Sequence, residues 1–293
     1  MTPWLIQHEA LVRLAQTQLF FVGGAPRSGT TWLQQMLDAH PRVSCAGEGL
    51  FQQHLATPLE NIMAARGAAL AAKNTQLFRH TGGYPLPPPA HTDTLLGTAI
   101  LLALQQHSAG KPCLAVGEKT PENVFLFPRL KRLFPNARLI AIARDPRDVI
   151  ASSWHMFQRN NPRQDQAEAK RDFIRHALPS LAAGARAMMQ AVRDMPLHVV
   201  MVTYEQLRRG QPDELARLFR FLGVPDAPDI VAACVASTDF ATMTGGRPPG
   251  VADNGAFLRA GQVGGWRATL TPDMSNMILE ELGWMFPACG WQP

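Results

Sequence analysis

The sequence predicts an α/β fold built on a central, mainly parallel sheet, and three observations carry that prediction. Helical and strand-like patterns alternate along the 293 residues, as they do when helices cover both faces of one sheet. Four short apolar runs are found, 18–25, 113–119, 138–145 and 198–205, and the last three each end at a charged residue, which is the pattern of a buried strand stopping at the rim of a sheet. The first of them, QLFFVGGA, runs straight into GGAPRSGTTW and then a helical pattern.

The elements follow in order. MTPWLIQHEALVRLAQTQLF lacks a basic start followed by an apolar core, so it does not read as a secretory signal. No apolar run approaches the roughly eighteen residues of a membrane span, and a cytoplasmic location is expected. After the strand at 18–25, a helix is expected over 29–40, closed by Pro41. Further helices are expected over 61–73, 92–109, 121–134, 146–159, Asp165 to Asp194, and 212–223. TGGYPLPPPAH (81–91) is a stiff, donor-poor connector. Beyond Phe240 the chain turns Gly- and Pro-rich and then ends in a helix around TPDMSNMILEELGWMF. One domain over 1–293 is expected, since apolar residues make up 46% of the chain and charged ones 17%, enough for a sizeable core.

The net charge of +5 favours anionic partners, but no dense Lys/Arg run marks a nucleic-acid arm, so no nucleic acid is expected. Cys45, Cys113, Cys234 and Cys289 match neither a zinc spacing nor a disulfide framework and read as reduced, mostly buried thiols.

GGAPRSGTTW fits the phosphate-loop pattern G-x-x-x-x-G-K-[ST] at every defined position except the lysine: Gly24 and Gly29 stand in place, Thr30 replaces Lys, and Thr31 follows. Backbone N–H groups of residues 27–31 at a helix N-terminus form an anion site. The nearest positive charge is Arg27, whose guanidinium can grip an oxyanion in two places without a metal. Ligands of open α/β sheets lie at the carboxyl ends of strands, so Arg27, Lys119, Arg144 and Tyr204 should gather at one rim. Arg144 at a strand tip and Ser152 two helical turns on can face one oxyanion; the alternative is an ion pair of Arg144 with Asp145 or Asp148. His40 reads as a helix-end residue, and Trp154, Met156 and Phe157 as core.

PRSGTTW resembles the 5′-phosphosulfate loop of the sulfotransferase family, whose donor is 3′-phosphoadenosine 5′-phosphosulfate (PAPS). The resemblance implies an α/β, P-loop-like three-layer fold with a central, mainly parallel sheet flanked by helices. It also implies that Arg27, Ser28, Gly29, Thr30, Thr31 and Trp32 hold the sulfonated end of the donor. ARDPRDVIASSW is similar to the family's 3′-phosphate motif, giving that role to Arg144 and Ser152. VTYEQL resembles the segment whose tyrosine contacts the nucleotide, here Tyr204. FLRAGQVGGWR resembles the C-terminal loop R-K-G with G-x-W-[KR], with Arg259 and Gly261 as contacts and Ala260 where many members carry Lys.

The run PRSGTTWLQQMLDAHPRVSCAGE is similar to the protein-tyrosine sulfotransferase branch, which places a general base at Glu48; GEKTPEN resembles its lysine segment, at Lys119. The implied reaction moves a sulfonyl group from PAPS to an acceptor hydroxyl without a metal, releasing adenosine 3′,5′-bisphosphate. The acceptor would be a small molecule, a glycan or a peptide tyrosine, recognised by residues 50–110 and 155–195. A P-loop kinase is the alternative from a neighbouring class, against which stand the absent loop lysine and the lack of a magnesium-binding Asp after an apolar strand. A non-catalytic nucleotide-binding protein is the third reading.

Overall fold

Residues 2–161, 167–253, 256 and 258–292 are described by the structure, a computed structural model. Helix α1 (Pro3–Gln16) carries Pro3 in its first turn, where a missing N–H costs nothing, and leads into β1 (Gln18–Gly24). Next come α2 (Thr30–Asp38), β2 (Val43–Ala46), α3 (Thr57–Leu77) and α4 (Pro89–Ser108). β3 (Ala115–Lys119), α5 (Asn123–Leu133), β4 (Arg138–Ala143), α6 (Pro146–Asn160), α7 (Ala167–Asp194) and β5 (Val199–Thr203) follow. The C-terminal part holds α8 (Tyr204–Arg209), α9 (Gln211–Leu222), α10 (Pro228–Ser237), the single turn α11 (Phe240–Met243) and α12 (Pro272–Leu282).

The five strands form one sheet in the order β2-β3-β1-β4-β5, every pair parallel. β1 is therefore the middle strand, and its neighbours β3 and β4 bring Lys119 and Arg144 to the same rim as the loop that leaves Gly24. Alternation along β1 divides the core. Leu19 and Phe21 pack with Phe127, Ile174 and Ile278 on one face; Phe20 and Val22 pack with Leu33, Met36 and Phe219 on the other. Each fully buried Phe contributes about 1.5–3 kcal/mol of transfer free energy. Gly117 on β3 must be glycine, because a Cβ there would stand 2.2 Å from the Phe20 carbonyl oxygen. The result is the expected three-layer α/β architecture.

All four expected strands are present, with trimmed ends that have local causes. The strand at 138–145 stops at Ala143 because the Asp145 carboxylate caps α6 by accepting the Arg147 N–H at 2.9 Å. The one at 198–205 stops at Thr203, where Thr203 and Gln206 close a reciprocal capping box and Tyr204 opens α8. α4 starts inside the stretch read as connector, with Pro89 in its first turn. Sequence reading missed β2, a four-residue edge strand right after Pro41, and also α1 and α10. The expected start of the long helix at Asp165 lies outside the described residues. Among the described residues no helix is long and apolar enough to cross a membrane.

Candidate functional site

The loop after β1 owes its shape to two left-handed residues, Arg27 at φ 69° and Gly29 at φ 98°. Gly29 caps α2, and a Cβ there would meet the Tyr204 ring at 2.7 Å, so glycine is required twice over. Thr30 and Thr31 open α2. Trp32 is fixed by its indole N–H donating to the Thr238 carbonyl at 2.9 Å and meets Tyr204 edge-on, with ring centroids 5.6 Å apart.

Above this loop lies a cavity of about 260 Å³. Four arginines line it, Arg27, Arg144, Arg208 and Arg259, against two carboxylates, Glu48 and Asp148. Arg27 donates from Nε to the Ser152 hydroxyl at 3.2 Å. Arg144 donates to the Arg27 carbonyl at 3.1 Å and to the Gln262 carbonyl at 2.9 Å, and its guanidinium lies 4.3 Å over the Tyr204 ring. Its Nε is buried and has no hydrogen-bond partner among the described residues. Burial first, and then Arg144, Arg159 and Arg259, push the Arg27 pKa down; burial and then Arg144 do the same to Arg259, with Asp148 acting against them. Crowded, partly desolvated cations of this kind favour an anion.

The C-terminal segment closes the cavity through Asp148. This carboxylate, 2% exposed, accepts the Gly264 N–H at 2.7 Å and the Trp266 N–H at 2.9 Å, and lies 3.8 Å from Arg144. Asp145 pairs instead with Arg147. Gly261, at φ 58°, sits so close to Phe240 that a Cβ would stand 2.4 Å from the ring. Phe240 and Met243 line the apolar end of the cavity together with Trp32.

Across the loop, Lys119 is buried at the end of β3. Its ammonium donates to the Glu48 carboxylate at 2.7 Å and to the Thr31 hydroxyl at 3.3 Å. Behind this pair lies Glu118, 1% exposed, accepting from Asn123 at 2.6 Å, Thr120 at 2.9 Å and the Gly49 N–H at 3.3 Å. Burial pushes its pKa up to about 7, against the pull of these donors.

Arg27, Gly29, Thr30, Thr31, Trp32, Glu48, Arg144, Ser152, Tyr204, Arg259 and Gly261 all line this one cavity, and Lys119 reaches it through Glu48. Ser28 does not. Its hydroxyl is buried without a partner among the described residues, and its N–H donates to the Ala25 carbonyl at 3.1 Å. Met156, read as core, lines the cavity as well, one turn along α6 from Ser152. Trp154 is core at 1% exposure. His40 is buried at the end of α2, held by the Pro225 carbonyl at 2.8 Å. Sequence reading missed Asp148 as a latch, Arg208, Phe240, Met243 and Glu118. Only Asp148 and Glu118 carried a signal, as acidic residues inside the two motifs already singled out.

The central parallel sheet thus carries an anion-favouring loop after its middle strand and a second arginine just past the adjoining strand, and both open onto one cavity. The sulfotransferase family model matches residues 20–229, and the chain belongs to that family. It is 28% identical over 207 residues to a relative in Caenorhabditis briggsae, covering 70% of this chain and 65% of that one. It is also 28% identical over 218 residues to the protein-tyrosine sulfotransferase of Drosophila melanogaster, covering 71% of this chain and 38% of that protein. The chain thus spans less than two thirds of the length of these relatives. Its fold resembles that of a mouse sulfotransferase solved in complex with PAP (TM-score 0.57, 17% identity, covering 95% of this chain and 89% of that one). A Mycobacterium avium sulfotransferase is similarly related (TM-score 0.55, 17% identity, covering 99% and 81%).

Proposed function

We propose that the protein transfers a sulfonyl group from PAPS to an acceptor hydroxyl. The observation that carries this reading is that Arg27 and Arg144 open onto one cavity that the loop after β1 also lines, and that the buried Nε of Arg144 has no hydrogen-bond partner among the described residues. In this reading the loop N–H groups and Arg27 bind the phosphosulfate end. Arg144, Ser152 and Arg259 bind the ribose 3′-phosphate, while Trp32 and Phe240 flank the base.

Glu48 accepts the proton of the acceptor hydroxyl as its oxygen attacks sulfur. The new O–S bond forms as the bond from sulfur to the bridging phosphate oxygen breaks, and the electron pair leaves with adenosine 3′,5′-bisphosphate. Lys119 holds Glu48 in place and, with Arg27, offsets the charge that builds on the leaving phosphate and the sulfonyl oxygens. This arrangement supports sulfonyl transfer over phosphoryl transfer, because Thr30 stands where a kinase loop needs lysine. Peptide tyrosine is one acceptor class to test, given the relatives' names; small-molecule and glycan hydroxyls are the others.

The test is transfer of labelled sulfate from PAPS to a panel of tyrosine peptides, phenols and glycans. Label moving to at least one acceptor, with adenosine 3′,5′-bisphosphate as inhibitor, is the expected result. Stabilisation of the protein by ATP with magnesium, and none by adenosine 3′,5′-bisphosphate, would favour the kinase reading instead.

A further inference from the structure

The segment that carries Glu48 has little holding it from outside. Gly47, Glu48, Gly49 and Leu50 are all exposed, and Leu50 sits at φ 52°, a conformation unfavourable for a leucine. Its anchors come from behind, out of the stretch GEKTPEN. The Gly49 N–H donates to the Glu118 carboxylate at 3.3 Å, and the Leu50 N–H donates to the Thr120 hydroxyl at 3.3 Å. Thr120 in turn donates to Glu118 at 2.9 Å.

We propose, resting on the reading of Glu48 as general base, that Glu118 is a positioning residue that sets Glu48 against the reacting centre through the backbone of residues 49 and 50. Successive residues of β3 grip the same segment by different means: Glu118 holds the main chain just past Glu48, and Lys119 holds the Glu48 side chain. The chain of contacts also reaches the donor loop. Asn123 donates from one amide nitrogen both to Glu118 at 2.6 Å and to the Val22 carbonyl of β1 at 3.1 Å, so the strand that launches the anion loop and the segment that carries the base share one buried carboxylate.

That carboxylate has a thermodynamic cost. A buried acid is unfavourable unless hydrogen-bonded, and burial raises this one to about 7 despite three donors. An apolar side chain would fill the same space without that cost but could not accept the Gly49 N–H. Glu118 is not among the residues that line the cavity, so its proposed effect runs through Glu48.

A double-mutant cycle on the full chain tests this. Glu118→Ala and, separately, Thr120→Val are expected to lower kcat at least about tenfold, while affinity for adenosine 3′,5′-bisphosphate stays within about twofold of the parent. In a Glu48→Gln background the same substitutions should lower kcat by no more than about twofold further. If Glu118→Ala fails to fold, Thr120→Val alone carries the test, since its shape is conserved. Equal kcat losses in both backgrounds, or loss of nucleotide affinity in step with kcat, would show a general structural role and overturn the proposal. A parent protein that transfers no sulfate would instead overturn the proposed function itself.

Discussion

The two sides of the cavity are built differently. On the side of the arginines, Arg27 and Arg144 are tied to a hydroxyl and to two backbone carbonyls, and Asp148 latches the C-terminal segment by two N–H groups. Beyond Glu48, the 21-residue helix α3 fully buries none of its side chains, with Leu59 partly buried against the core. The stretch 78–91 that follows is exposed almost throughout, with Tyr84 at 63% and Leu86 at 53%. In the proposed function, a site preorganised at one side and open at the other would fix its donor and leave the acceptor to be chosen elsewhere. Donor recognition should therefore respond sharply to single substitutions near the arginines, and the chemical step to substitutions around Glu48.

The largest effect separates the two sides outright. Glu48→Gln keeps the shape of the side chain and removes the base, so kcat should fall by about 10²–10⁴-fold with affinity for adenosine 3′,5′-bisphosphate unchanged. Turnover near the parent value, read by label transfer, would exclude Glu48 as the base.

A second effect is on stability. Glu118 has its pKa raised from an ordinary 4.5 to about 7, so the folded chain holds that proton to higher pH than the unfolded one. The favourable contribution of the protonated form is complete below the ordinary value of 4.5 and is lost as pH rises to about 7, a loss of up to about 3 kcal/mol. Melting temperatures at about pH 5 and about pH 7.5 should differ less in Glu118→Gln than in the parent; an unchanged difference would mean that the carboxyl ionises normally in the fold.

Next is the latch. Asp148→Ala frees the Gly264 and Trp266 N–H groups and loosens the wall beside Arg144. Affinity for adenosine 3′,5′-bisphosphate, measured calorimetrically, should weaken by about tenfold. An unchanged affinity would mean that the C-terminal wall holds its place without the carboxylate.

The smallest effect sharpens the role of Tyr204. Its ring packs on Gly29 and lies under Arg144. Tyr204→Phe keeps that ring, and nucleotide affinity should stay within about twofold. A loss of about tenfold would assign the hydroxyl a direct contact with the ligand.

The same contrast governs what could be read from the sequence. The donor loop is a local object: a strand, two glycines and a helix start lie within fifteen residues, and each leaves a mark in composition. Arg144 with Ser152 is legible for the same reason, being one strand tip and two helical turns. Phe240, Met243 and Arg208 reach the cavity only through tertiary packing, from positions some two hundred residues beyond the loop. No periodicity records that convergence. A motif marks a residue without saying which way it points: the hydroxyl of Ser28, next to the left-handed turn at Arg27, is buried. β2 was missed because four residues after a proline are too few to show alternation. β5 was carried two residues too far, to 205, because the capping pattern of Thr203 with Gln206 three residues on was not used.

The central claim is that Arg27 and Arg144 serve the two ends of one nucleotide, and the preference for a 3′-phosphate tests it most directly. Affinities of adenosine 3′,5′-bisphosphate and adenosine 5′-monophosphate should be compared in the parent and in Arg144→Ala. The parent should prefer the bisphosphate by about tenfold to a hundredfold, and Arg144→Ala should erase that preference while leaving the monophosphate affinity nearly unchanged. If the preference survives in Arg144→Ala, or is absent from the parent, the two arginines do not share one ligand and the account fails.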